Sequence, residues 1–196
     1  MIYDDYPALV LAFHGCRRTT YETVMRGLPL APSRNSYDWL GWGVYFWENS
    51  YSRALDWALQ RYAADAAVIG AVIDPGHCLN LTDFQNAQLV RAAYDTLVVD
   101  MADQSRDLPV NRNIKDNDDW LLRDLDCAVV NTVHDLNATL GRPSFDTVRG
   151  IFTEGPPAYP GAGFRAKTHV QLCVRNAASI KGYFAPRDEA GDIIRY

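Results

Sequence analysis

The chain has 196 residues, of which 48% are hydrophobic and 22% charged, and its formal net charge at pH 7 is −5. This length predicts one domain over residues 1–196, with a core large enough to need no disulfide or structural metal. The four cysteines form no Cys-x-x-Cys pair and have no histidine at a metal-ligand spacing, which excludes zinc ribbons, iron–sulfur clusters and disulfide scaffolds. We therefore expect no metal cofactor and a reducing, cytoplasmic setting.

The amino-terminal segment MIYDDYPALVLAF is acidic where a signal peptide is basic, and no apolar run reaches the roughly 18 residues of a membrane helix. The sequence thus predicts a soluble protein that has no membrane partner. The negative net charge gives no general attraction to nucleic acid, although a local basic cleft is compatible with it. Aromatic residues make up 12% of the chain and many lie within residues 37–62, which indicates a ligand site.

Periodicity and turn signals predict an α+β protein. The capping-box patterns Thr19–Glu22 and Thr82–Gln85 each indicate the start of a helix. Two amphipathic helices within about residues 82–140 form a helical insertion and are expected to pack on each other. In chain order we expect a strand over 8–16, a helix over 20–26, a helix from 49 or 50 to 65, a strand over 67–74, helices from 82 and over 118–140, and strands over 148–153, 168–176 and 180–185.

Three segments carry residues suited to chemistry. In FHGC, a strand ends in His14 followed by Gly15, and a glycine lets a ligand reach the main-chain N–H and C=O groups. In GWGVYFWEN, two glycines precede a dense aromatic run that can form a slot for a planar ring. The strand THVQLCVRN places His169 and Gln171 on one polar face, and Glu154 precedes it in FTEG. Each segment alone is more often structural, but the three together indicate a site.

The order and spacing of these segments resemble the NAD-dependent ADP-ribosyltransferases of the poly(ADP-ribose) polymerase-like, or diphtheria-toxin-like, family. The likeness covers about residues 9–65 and 148–185, and it leaves out the helical insertion at about 82–140. It implies a split β-sheet core, two small twisted sheets flanking an NAD cleft, with an inserted helical pair. NAD would be the co-substrate, and no metal is implied.

The resemblance implies a role for each matching residue. His14 would bond a ribose hydroxyl of NAD, the main chain of Gly15 would hold the nicotinamide carboxamide, and Tyr45 would stack on the nicotinamide ring with Trp57 as a second wall. A helix hydroxyl, from Ser50 or Ser52, would contact the carboxamide as in many relatives. Arg17 would bind the pyrophosphate or face water.

The third catalytic position departs from the family pattern, because Gln171 stands where polymerising members carry a glutamate. A neutral amide can orient the ribose, but it lacks the charge that stabilises an oxocarbenium-like state. Two interpretations remain open: a His-Tyr-Gln site that transfers a single ADP-ribose, or Glu154 reaching into the site as the missing carboxylate.

The expected function is therefore mono-ADP-ribosyl transfer: cleavage of NAD at its nicotinamide glycosidic bond and transfer of ADP-ribose to a protein, RNA or DNA acceptor. An NAD glycohydrolase and a catalytically silent NAD or ADP-ribose reader are the alternatives. By analogy with small bacterial relatives, we expect a toxin or defence effector, with an antitoxin or regulatory protein as a further partner.

Overall fold

A computed structural model describes residues 9–114 and 119–196. Nine strands and four α-helices lie within these residues, so the chain is an α+β protein. The helices are α1 (Arg18–Met25), α2 (Tyr51–Tyr62), α3 (Phe84–Asp103) and α4 (Asp124–Thr139). The strands are β1 (Val10–Arg17), β2 (Val44–Glu48), β3 (Ala66–Ile73), β4 (Cys78–Asn80), β5 (Asn111–Arg112), β6 (Leu122–Arg123), β7 (Thr147–Phe152), β8 (His169–Val174) and β9 (Ile180–Phe184).

The main sheet has seven strands in the order β4-β7-β8-β2-β1-β3-β9, and β5 and β6 form a separate ribbon. All neighbours in the main sheet are antiparallel except β4 and β7. The two small sheets expected from the sequence are therefore joined into one. The junction is narrow, because β1 and β2 pair only at Ala12↔Glu48 and Phe13↔Trp47.

Both faces of this sheet are covered, which explains why its central strands are apolar on both sides. One face of β1 carries Ala12 and Cys16, which pack with Phe46 and with residues of and after α1. On the opposite face, α2 lays Ala54 against Trp47 and Val68.

Helices α3 and α4 pack on each other, as their amphipathic patterns predict, and cover the β7–β8 end of the sheet. Leu97 and Val133 meet Val148 and Cys173 in this second core. Residue 118, where the sequence places the start of the second helix, lies outside the described residues, and α4 begins at Asp124. Residue 8 of the first expected strand is likewise outside them.

Neither capping-box prediction gives the observed helix start. Strand β1 runs through Arg17 directly into α1, so Thr19 lies inside the first turn and the N-cap, Arg17, makes no side-chain cap bond. At α3 the N-cap is Asp83, whose carboxylate accepts from the N–H groups of Gln85 and Asn86. Helix α2 ends earlier than expected because Ala63 adopts a φ of 50°.

Across residues 9–114 and 119–196 we find no helix with the length and apolar character needed to cross a bilayer.

Candidate active site

The main sheet opens beside the His14-Gly15 pair. Asn49 N–H donates to the Leu11 carbonyl at 2.8 Å, so the main-chain groups of Leu11, and by strand alternation those of Phe13 and Gly15, point toward β2. The β1–β2 ladder nevertheless stops at Phe13↔Trp47, and Gly15 does not continue it opposite Tyr45.

The His14 imidazole bonds to the carbonyl oxygen that would be the next acceptor in the β1–β2 ladder. Its Nδ1 lies 2.7 Å from the Tyr45 carbonyl oxygen, which is the atom that Gly15 N–H would reach if the ladder continued. Nδ1 must therefore carry the proton, and Nε2 keeps a lone pair. Burial lowers the pKa of His14, although the bond to Tyr45 opposes this, so the ring is a neutral acceptor at physiological pH.

Gly15 lacks a side chain for a reason that the sequence did not reveal. A Cβ at this position would collide with the Ala54 carbonyl oxygen of α2 and would lie 3.2 Å from Cε3 of Trp57. The glycine thus permits the close approach of a helix, and α2 covers this side of its main chain. Trp57 does stand beside Gly15, where the resemblance implies a wall.

Tyr45 occupies a different environment from the one expected of a stacking platform. Its hydroxyl donates to the Gly41 carbonyl at 2.6 Å and accepts from Leu40 N–H at 2.7 Å. Its ring packs on the core beneath α3 and α4. Burial is the main cause that raises the pKa of this phenol. The observed contacts of Tyr45 therefore fix the loop before β2, and only its main chain touches His14.

The remaining expected contacts lie around α2. Ser52 is exposed in the first turn, and Ser50 is the N-cap residue without a side-chain cap bond. Arg17 is exposed, lies 4.6 Å from the centre of the Tyr62 ring and pairs with Asp65 at 3.4 Å. Such an exposed pair contributes little to stability, so Arg17 can exchange its partner for a phosphate.

A second cluster of polar side chains is buried on the α2 face of the sheet, and Glu154 is its centre. The Glu154 side chain is 7% exposed, accepts from Arg53 Nη2 at 2.7 Å and lies 3.5 Å from His169 Nδ1. Gln171 completes the cluster, with Nε2 3.2 Å from His169 Nε2. The structure therefore brings Gln171 and Glu154, the two alternatives for the third catalytic position, into one cluster.

The His169 ring determines which atom Gln171 can offer to a ligand. His169 Nδ1 lies 2.7 Å from the Lys167 carbonyl oxygen and must donate to it. Nε2 is then an acceptor for the Gln171 amide N–H, and this leaves Gln171 Oε1 to accept from another group. Burial lowers the pKa of His169 against the opposing effects of the Lys167 carbonyl and Glu154, which keeps this tautomer neutral.

Two N–H groups beside this cluster are buried and have no hydrogen-bond partner in the described structure: Trp47 Nε1 and Arg53 Nε. Trp47 is only 5% exposed, and its ring lies 6.3 Å from that of His169 and 5.6 Å from that of Trp57. Buried donors of this kind are rare in folded proteins and call for an explanation such as a bound ligand. Trp47 also links the Glu154 cluster to the Gly15 opening.

The sequence analysis did not single out Arg53 or Trp47. A signal for Arg53 was present, since Arg53 and Asp56 stand three residues apart on one helix, and this spacing is typical of an ion pair. Nothing local connects Arg53 with Glu154, because they are 101 positions apart in the chain.

The expected triad does not form one side-chain cluster. His14 and Phe46 lie on the same face of the sheet, with their ring centres 5.8 Å apart. Gln171 is the strand-pairing partner of Trp47, and their side chains lie on the other face. Within the described ranges, no three His, Cys, Asp or Glu side chains are grouped to hold a metal ion.

Comparison with protein-family models, with curated proteins and with solved structures finds no match to this chain.

Proposed function

We propose that this protein is an NAD-dependent mono-ADP-ribosyltransferase. One observation carries the proposal: the sheet opens at Gly15 because the His14 side chain replaces Gly15 N–H at the Tyr45 carbonyl. This leaves a main-chain donor and acceptor of Gly15 directed into a narrow opening, which is the arrangement that an amide such as the nicotinamide carboxamide would bind. The fold of the family belongs to the same proposal, with the two halves of the sheet on either side of the narrow β1–β2 junction in place of two separate sheets.

NAD would cross the sheet through this opening. The lone pair on His14 Nε2 would accept a ribose hydroxyl, and Trp57 would provide an apolar wall for the nicotinamide ring. Trp47 Nε1, buried without a partner between Trp57 and His169, would donate to the ligand on the α2 face.

Cleavage requires stabilisation of positive charge on the ribose as nicotinamide leaves. Gln171 Oε1 would accept the ribose hydroxyl, and the Glu154 carboxylate would supply the charge that an amide lacks. The Arg53–Glu154 bond of 2.7 Å holds this carboxylate in place but also offsets its charge. That balance supports single transfer rather than chain elongation, to a protein or nucleic acid acceptor, with an antitoxin as a further partner.

A catalytically silent NAD or ADP-ribose reader is the second candidate. It is favoured by the same ion pair, because a carboxylate fully neutralised by Arg53 would position a ribose without accelerating its departure. The two functions differ in whether nicotinamide is produced.

The test is nicotinamide release from NAD, measured by chromatography with and without whole-cell extract. We expect release that increases with the extract, and Glu154→Gln should lower its rate by about 100-fold or more. Glu22→Gln, on the exposed face of α1, is the matched control and should retain the wild-type rate.

Three outcomes separate the candidates. Rapid release without extract that is not increased by it would identify a glycohydrolase. NAD binding without release would identify a reader. Neither binding nor release would remove NAD from consideration.

A further inference from the structure

A cavity at the β7 end of the main sheet is lined mainly by the helical insertion, which the family resemblance leaves out. It has a volume of about 690 Å³, is open to solvent on one side and is lined by α3, α4, β6, β7 and the segment before β2. This volume is within the roughly 300–1,000 Å³ range of small-molecule sites. Its lining combines aliphatic side chains with aromatic and charged ones.

The aromatic wall contains a guanidinium group that packs on two rings. The Arg123 guanidinium lies 4.5 Å from the centre of the Trp39 ring and 4.8 Å from that of Phe152. Across the cavity, α3 contributes Tyr94, with the Arg91 guanidinium 5.7 Å from its ring. Flat rings and guanidinium planes of this kind are the surfaces on which nucleobases stack.

Polar groups at the entrance fit the rest of a nucleotide. Arg91 is exposed and pairs with Asp95 one turn away, and such an exposed pair is weak, so Arg91 can turn to a phosphate. The Asp126 carboxylate also lines the cavity and can accept from an exocyclic amine. Apolar walls, aromatic rings, one carboxylate and two guanidinium groups together match a base attached to a phosphodiester.

The cavity shares a wall with the Glu154 cluster. The His169 ring is stacked at 26° to that of Trp39, with centres 6.2 Å apart, and lies 5.9 Å from that of Phe152. Gly150, which lines the cavity, pairs directly with Gln171 across β7 and β8. A base in the cavity would therefore be separated from the reacting ribose by a single layer of side chains.

We propose that this cavity binds a base of single-stranded nucleic acid and is the acceptor subsite of the enzyme, an inference that rests on the proposed function for its chemical step. In that step the C1′–N bond to nicotinamide breaks, and its electron pair leaves with nicotinamide. A base nitrogen of the neighbouring nucleotide, which lies outside the cavity, forms the new bond to C1′ and releases its proton to water.

Two substitutions on α3 test the site without touching the reaction cluster. Ala87 is exposed and lines the cavity, so Ala87→Trp fills the entrance. Gln88→Trp places the same ring on the neighbouring exposed position, which is not part of the cavity lining, and is the matched control. The full chain is first mixed, without NAD, with fluorescein-labelled single-stranded RNA or DNA oligonucleotides of mixed sequence, and anisotropy is measured.

We expect wild type and Gln88→Trp to bind an oligonucleotide with equal affinity, and Ala87→Trp to bind at least about tenfold more weakly. Comparing the RNA and DNA oligonucleotides identifies the preferred sugar. Equal binding by the two tryptophan variants, or no binding by wild type, overturns the cavity as a nucleic acid site. This arm does not depend on NAD chemistry.

The second arm adds NAD labelled in its adenylate group, and follows label in the oligonucleotide and release of nicotinamide. Ala87→Trp should lose labelling at least tenfold while its KM for NAD is unchanged. If the oligonucleotide binds but neither wild type nor a variant labels it, the acceptor role and the proposed transfer to nucleic acid are both overturned. The cavity would then remain a nucleic acid binding site only. A raised KM for NAD in Ala87→Trp alone would assign the cavity to NAD itself and overturn the proposal.

Discussion

Single hydrogen bonds to main-chain carbonyls determine which nitrogen of His14 and His169 carries the proton. His14 Nδ1 donates to Tyr45, and His169 Nδ1 donates to Lys167, so both rings keep Nε2 as an acceptor. Burial lowers the pKa of both. At neutral pH, both rings therefore offer Nε2 to the candidate site as a hydrogen-bond acceptor. Protonation of either ring would turn this acceptor into a donor.

Replacing His169 tests whether it positions Gln171. In His169→Leu the Gln171 amide loses its buried acceptor and can turn, so the rate of nicotinamide release should fall at least about tenfold. In wild type, the rate should fall as the pH drops through the lowered pKa of His169, and this fall should be smaller in His169→Leu. Rates of nicotinamide release measured between pH 5 and 8 check both effects. His77→Leu, next to Phe145 and away from this site, is the control. A folded His169→Leu protein with the wild-type rate and pH profile would contradict the positioning role.

His134 should make the protein less stable in acid. Burial, with a smaller effect from Arg175, lowers its pKa from 6.5 to about 3, and its Nε2 has no partner within the described structure. Below pH 6.5, His134 therefore binds a proton in the unfolded chain but stays neutral in the folded chain. The titration of this residue leaves the free energy of unfolding unchanged above pH 6.5 and decreases it as the pH falls toward 3. His134 should lower the free energy of unfolding by about 2 kcal/mol between pH 7 and pH 5.

Urea unfolding of wild type and His134→Leu at both pH values measures this effect. The variant should lose about 2 kcal/mol less than wild type on acidification, while the loss due to His14 and His169 remains in both. Because only the difference between the two pH values is compared, changes in packing cancel. An equal loss in the two proteins would show that His134 titrates normally.

At the scale of elements, the candidate site depends on the close contact between β1 and α2, where Ala54 packs against Gly15. Side-chain periodicity predicted these two elements, since apolar alternation and helical spacing are local properties. The capping boxes failed because a strand that runs directly into α1 and an Asp one position later at α3 replaced the expected caps. Periodicity also could not show that Ala54 covers Gly15, because that contact joins residues of two separate elements.

A methyl group at Gly15 tests this contact. Gly15→Ala should lower the free energy of unfolding by about 1–3 kcal/mol and weaken NAD binding, because α2 must move away from β1. Gly182→Ala in β9, where an added Cβ meets no atom within 4 Å, is the matched control and should change neither quantity. Denaturant unfolding and calorimetric titration with NAD measure the two effects, and equal behaviour of the variants would contradict the close packing described here.

At the scale of the whole molecule, all four cysteines are buried, and Cys16 and Cys173 belong to the two cores on opposite faces of the sheet. Each thiol is free and buried. Burial is the main cause that raises their pKa values, to about 12 for Cys16 and Cys173, to about 11 for Cys127 and upward for Cys78. Their reactivity therefore reports opening of the entire fold.

An aromatic disulfide reagent at pH 8 should modify none of the thiols rapidly in the native protein and all four after unfolding in urea. The rate in native buffer should increase with urea in parallel with global unfolding. Rapid reaction of one thiol without denaturant would show that one core opens independently.

The sequence by itself determined the α+β class, the positions of most helices and strands, and the segments in which His14, Gly15, Glu154 and Gln171 stand, because all of these follow from local periodicity and residue type. Tertiary structure alone decided that seven strands form one sheet with an opening at Gly15 and that Tyr45 serves the core. It also decided that Arg53 holds Glu154 beside His169. The physical reason is distance along the chain. Strand pairing joins Val44 to Val174, 130 positions away, and the Arg53–Glu154 ion pair spans 101 positions, so no local pattern encodes which partner each residue will meet.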